Sequence, residues 1–452
     1  MSHSNEPLKQ QKRERRGISG YELKEDIDYF VTVLEAAHAA PYSNISKQKF
    51  TTILKNLKLR IEAAKTDRIS LPTCYYFLQE LAASIQDEHT IVLPYQSLDD
   101  RSVNLPFAIK IIHGKVFVVK KWGEVDIPLS SEILEINNIP MKSIISKCWK
   151  FLSPPLKHSK TVMFERIISG FLQTYFCMKS PWTITYRNNS QIQTAKTKGI
   201  SSEKGESPFM SELYLPYNES SFKIADEKIP ILEIPSFSYG DEQVYKKFID
   251  NFFRRHYDSN YLIIDLRRNP GGSGHRGIYL LDYLTDSPYP IWNSFLIKVS
   301  EIFRSSEYSF KAGKQLNQTK NGSYIESVED KLHIPHKKRE KFGGKVFLLI
   351  SHYTGSAAVV TAAIFKFNKM GTIIGQETFG RKRFHSDPAF IELHNSKLHV
   401  TIPLATLTLP GKNPDRGVIP DIKLNYTMTD YTSGKDREIE QVREIIETNG
   451  SY

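Results

Sequence analysis

The chain has 452 residues, more than one hydrophobic core usually organises, so two or three domains are expected. Its 40% hydrophobic and 12% aromatic content excludes a disordered or fibrous polymer. Lys and Arg number 61 against 50 Asp and Glu, a net charge of +11, but much of the excess falls in Leu8–Arg16 and His336–Phe342 without any zinc-finger or RNA-binding signature, so solvated faces are expected and no nucleic-acid partner.

The polar start MSHSNEPLKQQ has no apolar h-region, and no stretch approaches the roughly 20 apolar residues of a membrane span. The chain as written is therefore expected in the cytoplasm; removal of a signal peptide would leave the same sequence in a periplasmic or other extracytoplasmic protein. After this basic tail (1–20), Tyr21–Tyr42 places Ile27, Phe30, Val31, Leu34 and Ala37 at helical spacing, which predicts a surface helix with one apolar stripe. Helical segments at about Lys47–Ala64 and Leu71–Ile85 complete a helical N-terminal unit (21–100) that ends in IQDEHTIVLP, with His89 at its exit. Between 101 and 200 the texture changes to short alternating strands, FAIKIIHGKVFVVKKW and WTITYRN among them. The three cysteines, Cys74, Cys148 and Cys177, are widely spaced without a CxxC pair and read as free thiols in the core. A polar stretch, Ser201–Glu212, reads as a linker.

From 213 to 452 strands and helices alternate, and the runs IPILEIPSF, YLIIDLRRN, KVFLLIS and GTIIGQE are of the kind buried in a sheet covered by helices, so this part is α/β. Ser305–Phe342 is a charged insertion that either covers a cleft or forms a loop. Two phrases here carry chemistry. In YLIIDLRRNPGGSGHRG a buried strand runs into a turn where Gly271 and Gly272 let backbone N–H groups approach a substrate, with Asp265 and Arg267 bracing the turn. In KVFLLISHYTGSAAVVTAAIFKF, Ser356 stands at a strand-to-helix junction, where the free N–H groups of the first helical turn, Ala357 foremost, can stabilise a developing negative charge. A plain N-cap serine has the same local pattern.

The order LIIDLRxNPGG, then TxSAA before a helix, IIGxETFG and GVIPDI resembles the tail-specific (C-terminal processing) proteases and the tricorn core. The likeness runs from Tyr21 to Leu424, and the opening EDIDYFxxxLExxH with DEHT is similar to a Bacteroides-type branch. It implies a crotonase-like (ClpP/crotonase) α/β core, a serine peptidase activity and a peptide or unfolded-protein substrate. ILEINNIP, Ile133–Pro140, resembles the phrase before the groove helix of PDZ domains, which implies a PDZ-like β-rich domain at 101–200, although Ser131 and Glu132 replace the family's Gly-Asp.

The family activates its serine in two ways. A lysine base would stand 25 residues after Ser356, where this chain has Arg381, a group that stays protonated at neutral pH; Lys382 is its neighbour. In the tricorn-like branch a histidine from the N-terminal region does the work, and the resemblance assigns that role to His89. The glutamate that family members carry before RGVxPD has Asp415 as its nearest counterpart, one place from the family position, which Pro414 occupies; Asp421 is read as bracing its turn. The implied oxyanion hole is the N–H of Gly271 or Gly272 with that of Ala357. His352, His275, His38 and His385 are read as structural residues, the last two at a helix end and in a loop. No HExxH, paired histidine and cysteine ligands or phosphate-binding loop occurs, so neither metal nor cofactor is expected. The rival readings are a Ser356/Lys382 dyad, a peptide-binding scaffold without turnover, and an apolar-ligand carrier similar to the retinoid-binding modules that share the core.

Overall fold

A computed structural model describes residues 17–64, 66–93, 103–201, 215–224, 227–326, 332–336 and 340–449. Residues 1–16 of the basic tail and all but Ser201 of the linker Ser201–Glu212 lie outside these residues, whereas 17–20, expected in the tail, belong to the fold: Ile18 bridges to Ile69 and Gly20 opens the first helix.

The three N-terminal helices form where the apolar stripes require. Helix Gly20–Ala37 starts on a Ser19 capping box and buries Leu23, Ile27, Phe30, Val33, Leu34 and Ala37; Val33, not Val31, is the fully buried valine of the stripe. Helices Lys47–Ala63 and Leu71–Ser84 follow, each opened by a serine cap. The chain then enters the two-residue strand Ile91–Val92, which pairs antiparallel with His399–Thr408, so the N-terminal unit is hydrogen-bonded into a sheet of the C-terminal part. This mixed pairing explains why one hydrophobic core holds Phe30, Leu34 and Leu78 together with Leu262, Ile350 and Leu404.

Residues 103–201 fold around a second core. Its antiparallel sheet runs Phe107–Ile112, Lys115–Lys121, Glu132–Ile136, Trp182–Asn188, Gln191–Thr197, with Ile139–Pro140 added beside Glu132–Ile136 and helices Met141–Trp149 and Lys157–Thr174 against it. Cys74 and Cys148 are buried as expected for core thiols, but Cys177 is exposed, because it lies in the loop (φ 53°) that follows helix Lys157–Thr174.

The C-terminal part carries a six-stranded sheet in the order Asn218–Ile224, Glu227–Glu233, Tyr261–Asp265, Lys345–Ile350, Thr372–Gly375, Ile422–Lys423. Only the first pair is antiparallel. Leu262, Ile263 and Ile264 and the run Val346–Ile350 are all buried, since helices cover both faces. A second, antiparallel sheet joins Ser294–Lys298, Tyr324–Glu326, Arg383–Glu392, His399–Thr408 and Ile91–Val92. His385, expected in a loop, lies on its strand Arg383–Glu392 and is buried. Among the described residues no helix is long and apolar enough to cross a membrane.

Candidate active site

Strands Tyr261–Asp265 and Lys345–Ile350 are parallel neighbours, in register from Tyr261↔Lys345 to Asp265↔Leu349, so both release their chains at the same edge of the sheet. That edge is where open α/β sheets place their sites. The first strand leads to the glycine turn and helix Gly274–Leu281, the second to Ser356 and helix Ala357–Phe367.

Asn269 ties the two exits together. Its side-chain amide donates to the Ile234 carbonyl (3.0 Å), its Oδ1 accepts the Gly271 N–H (2.9 Å), and its own carbonyl accepts the Gly355 N–H (2.9 Å). The turns meet so closely that a Cβ on Gly271 would lie 2.6 Å from Ser356 Cβ and 3.0 Å from the Ala357 nitrogen. Arg267 braces the turn as expected, with its guanidinium on Asp265 (2.7 Å) and also on Asp436 (2.7 Å) and Glu438 (2.9 Å) of the C-terminal segment.

Ser356 has φ 44° and ψ −119°, a conformation that a non-glycine residue adopts only when its surroundings impose it. Its side chain makes no capping hydrogen bond, which separates it from an ordinary N-cap serine. It opens instead onto a cavity of about 960 Å³ with a largely apolar wall that includes Ile278, Trp292, Phe295, Phe384 and Leu407. At this point the Gly271 N–H is already committed to Asn269, whereas the N–H groups of Gly272 and Ala357 have no partner among the described residues. Those two amides are the donors available to an oxyanion.

His89 stands just before strand Ile91–Val92, held by its backbone: its N–H donates to Asp87 Oδ1 (3.1 Å) and its carbonyl accepts from Thr401 Oγ1 (2.6 Å). Its ring faces Phe384 at 6.1 Å, the same phenylalanine that lines the Ser356 cavity, and its Nδ1 is buried without a partner. No hydrogen bond joins His89 to Ser356. Asp415 lies at the surface, bonded to Arg383 (2.6 Å). The Lys382 ammonium is given to the Lys412 carbonyl, and burial draws its pKa below the usual lysine value. The carboxylates beside His89 are instead its sequence neighbours. Burial raises the Glu88 pKa. Asp87 is fully buried, which alone would raise its pKa, but the hydrogen bond with His38 (3.3 Å) and the nearby imidazoles hold it well below the usual carboxylate range. His352 stacks on His158 (4.4 Å) and contacts the Glu377 carbonyl (2.8 Å), while His275 lines the cavity. Asp421 takes Lys366 (2.6 Å) and the Ile373 N–H (2.9 Å), as a turn brace does.

Comparison with known proteins bears on this arrangement. Residues 228–424, which hold both turns and the parallel strands between them, match the model of peptidase family S41. Residues 228–424 form a peptidase family S41 domain. The chain is 24% identical over 223 residues to the tail-specific protease of Haemophilus influenzae, a match that takes in 48% of this chain and 27% of that protein, so the chain spans about a quarter of that relative's length. It superposes on mature CPAF with a TM-score of 0.68 at 14% identity, covering 94% of this chain and 97% of the other. A point mutant of CPAF gives 0.71 at 16% identity, covering 95% and 97%. These likenesses establish the S41 peptidase fold, mixed α/β with several sheets.

Asp282, His333 and His336 form a group within this cavity that no reading of the sequence connects.

Proposed function

We propose that this chain hydrolyses peptide bonds through an acyl-enzyme on Ser356, with His89 as general base and the Gly272 and Ala357 amides as oxyanion donors. The observation that carries the reading is the backbone of Ser356: a φ of 44° at the head of a helix, with its hydroxyl unbonded and facing a cavity. Strain of this kind persists where a reactive group must be presented. Neutral imidazole takes the Ser356 proton as the oxygen attacks the scissile carbonyl; the two amides hold the tetrahedral oxyanion; the imidazolium then protonates the leaving amine, and water releases the acyl group by the reverse sequence. The His89 ring must close on Ser356 for this, a tightening that substrate commonly brings. The apolar wall of Trp292, Phe295 and Phe384 suits a large apolar side chain next to the scissile bond.

The parallel sheet with helices on both faces supports a crotonase-like core, and the antiparallel sheet of 103–201, with helix Met141–Trp149 following Ile139–Pro140, supports a PDZ-like module that presents an extended peptide. The test is covalent labelling by a fluorophosphonate probe, read by intact mass. Wild type and Lys382→Ala are expected to label, Ser356→Ala and His89→Ala not. Loss of labelling in the lysine variant with retention in the histidine variant would install the dyad; a wild type that never labels would favour a binding role.

A further inference from the structure

Helix Gly274–Leu281 has the glycine turn at one end and Asp282 at the other, about 12 Å away at 1.5 Å per residue. Asp282 is fully buried, and no lysine or arginine pairs with it: its ion-pair partners among the described residues are His333 Nε2 (2.7 Å, to Oδ1) and His336 Nδ1 (2.7 Å, to Oδ2). The His336 backbone N–H (3.2 Å) and the Tyr289 hydroxyl (3.2 Å) complete its shell. A buried carboxylate without a permanent cation is costly. Two imidazoles from the insertion converge on it, one from strand Leu332–His333, which pairs with Tyr289–Pro290, the other three residues on and 73% exposed.

We propose that Asp282, His333 and His336 form a Zn²⁺ site on the wall of the Ser356 cavity. Two imidazole nitrogens and one carboxylate oxygen are a zinc donor set, used where the fourth position stays open. The three donor atoms lie within 4.8 Å of one another. Zinc at about 2.0–2.2 Å from each would replace the two imidazole–carboxylate hydrogen bonds, opening their 2.7 Å separations to the roughly 3.4 Å of neighbouring tetrahedral donors. The Tyr289 hydroxyl bonded to Asp282 Oδ1 supplies the outer contact that fixes a ligating carboxylate. The ion enters past the exposed His336 ring, and its free position faces the cavity, where water or a donor group of a bound chain fills it.

The proposal is read from binding rather than turnover, so it stands or falls separately from the peptidase reading. The full chain, stripped with chelator, is titrated against a chromophoric zinc indicator. Wild type is expected to take one equivalent, with X-ray absorption reporting nitrogen and oxygen ligands at about 2.0–2.1 Å. His333→Gln, His336→Gln and Asp282→Asn are each expected to weaken binding by more than about tenfold, while Ser356→Ala and His89→Ala retain it. The two histidine variants lie on a partly exposed edge, so the test survives if Asp282→Asn fails to fold. No uptake, uptake that survives both histidine substitutions, or loss in His89→Ala would overturn the proposal.

Discussion

The Asn269 carboxamide decides the shape of two turns at once. Its amide holds the strand end at Ile234 while its Oδ1 holds Gly271, and its carbonyl holds Gly355, the residue before the nucleophile candidate. Because it is fully buried, no water replaces what its removal would leave. Asn269→Ala orphans the Gly271 N–H and the Ile234 carbonyl, each costing about 1–3 kcal/mol. Its consequence for catalysis is sharper than for folding, since the Gly271 N–H is then free to turn and carry Gly272 with it. A misplaced oxyanion donor costs about 100-fold in kcat. The expectation is a folded but weakened protein whose kcat on a peptide falls by about that factor while KM changes little, measured beside its urea midpoint. An equal loss in KM would place the residue in substrate binding instead.

At the scale of elements, helices Gly274–Leu281 and Ala357–Phe367 leave the two turns side by side and pack at Gly277, where a Cβ would stand 2.0 Å from Thr361 Oγ1. The helix that carries the glycine turn and the helix that carries Ser356 are thus spaced by one missing methyl group. Gly277→Ala forces them apart, with an expected loss of about 1–3 kcal/mol and a parallel loss of peptidase rate. Adding Thr361→Ala removes the obstructing hydroxyl and should restore most of both, a coupling that a double-mutant cycle measures directly. Additive losses in the double variant would mean that the spacing is not what matters. These elements were largely legible in the sequence because their signals are local: the apolar runs Leu262–Ile264 and Val346–Ile350, the Gly-Gly pair, and the serine before an alanine-rich helix. What local pattern cannot carry is pairing over distance. Nothing in DEHT states that Ile91–Val92 joins a strand 310 residues later, or that Phe384 comes to face His89. Asp282 and His333 are 51 residues apart, on a helix end and a strand, so the zinc donor set had no spacing to betray it. Asp415 is the carboxylate nearest a family position, one place away from it, yet its side chain pairs with Arg383, a choice made by two adjoining chain segments rather than by either alone.

Across the whole molecule, a buried histidine and a half-buried one sit on the seams between its parts. His385 contacts Ser43 of the N-terminal unit (3.1 Å) and Thr406 of the neighbouring strand (2.9 Å). His352 stacks on His158, which stands on helix Lys157–Thr174 beside the second core. Burial pushes both imidazoles from 6.5 down to about 4. An unfolded chain therefore binds these protons near pH 6.5 and the folded one only near pH 4, so between those values the unfolded state holds more protons and stability rises with pH. Above pH 6.5 neither state binds them and the contribution is constant; as pH falls through the window, each histidine withdraws at most about 1.4 kcal/mol per pH unit. The expected result is a Tm that is level from pH 7 to 8 and drops steeply towards pH 4. His385→Gln keeps a polar side chain at the seam without a titrating proton, so its Tm profile should be flatter across the window than that of wild type, and His352→Gln should flatten it by a similar share. A wild-type slope that survives both substitutions would move the acid sensitivity away from the seams.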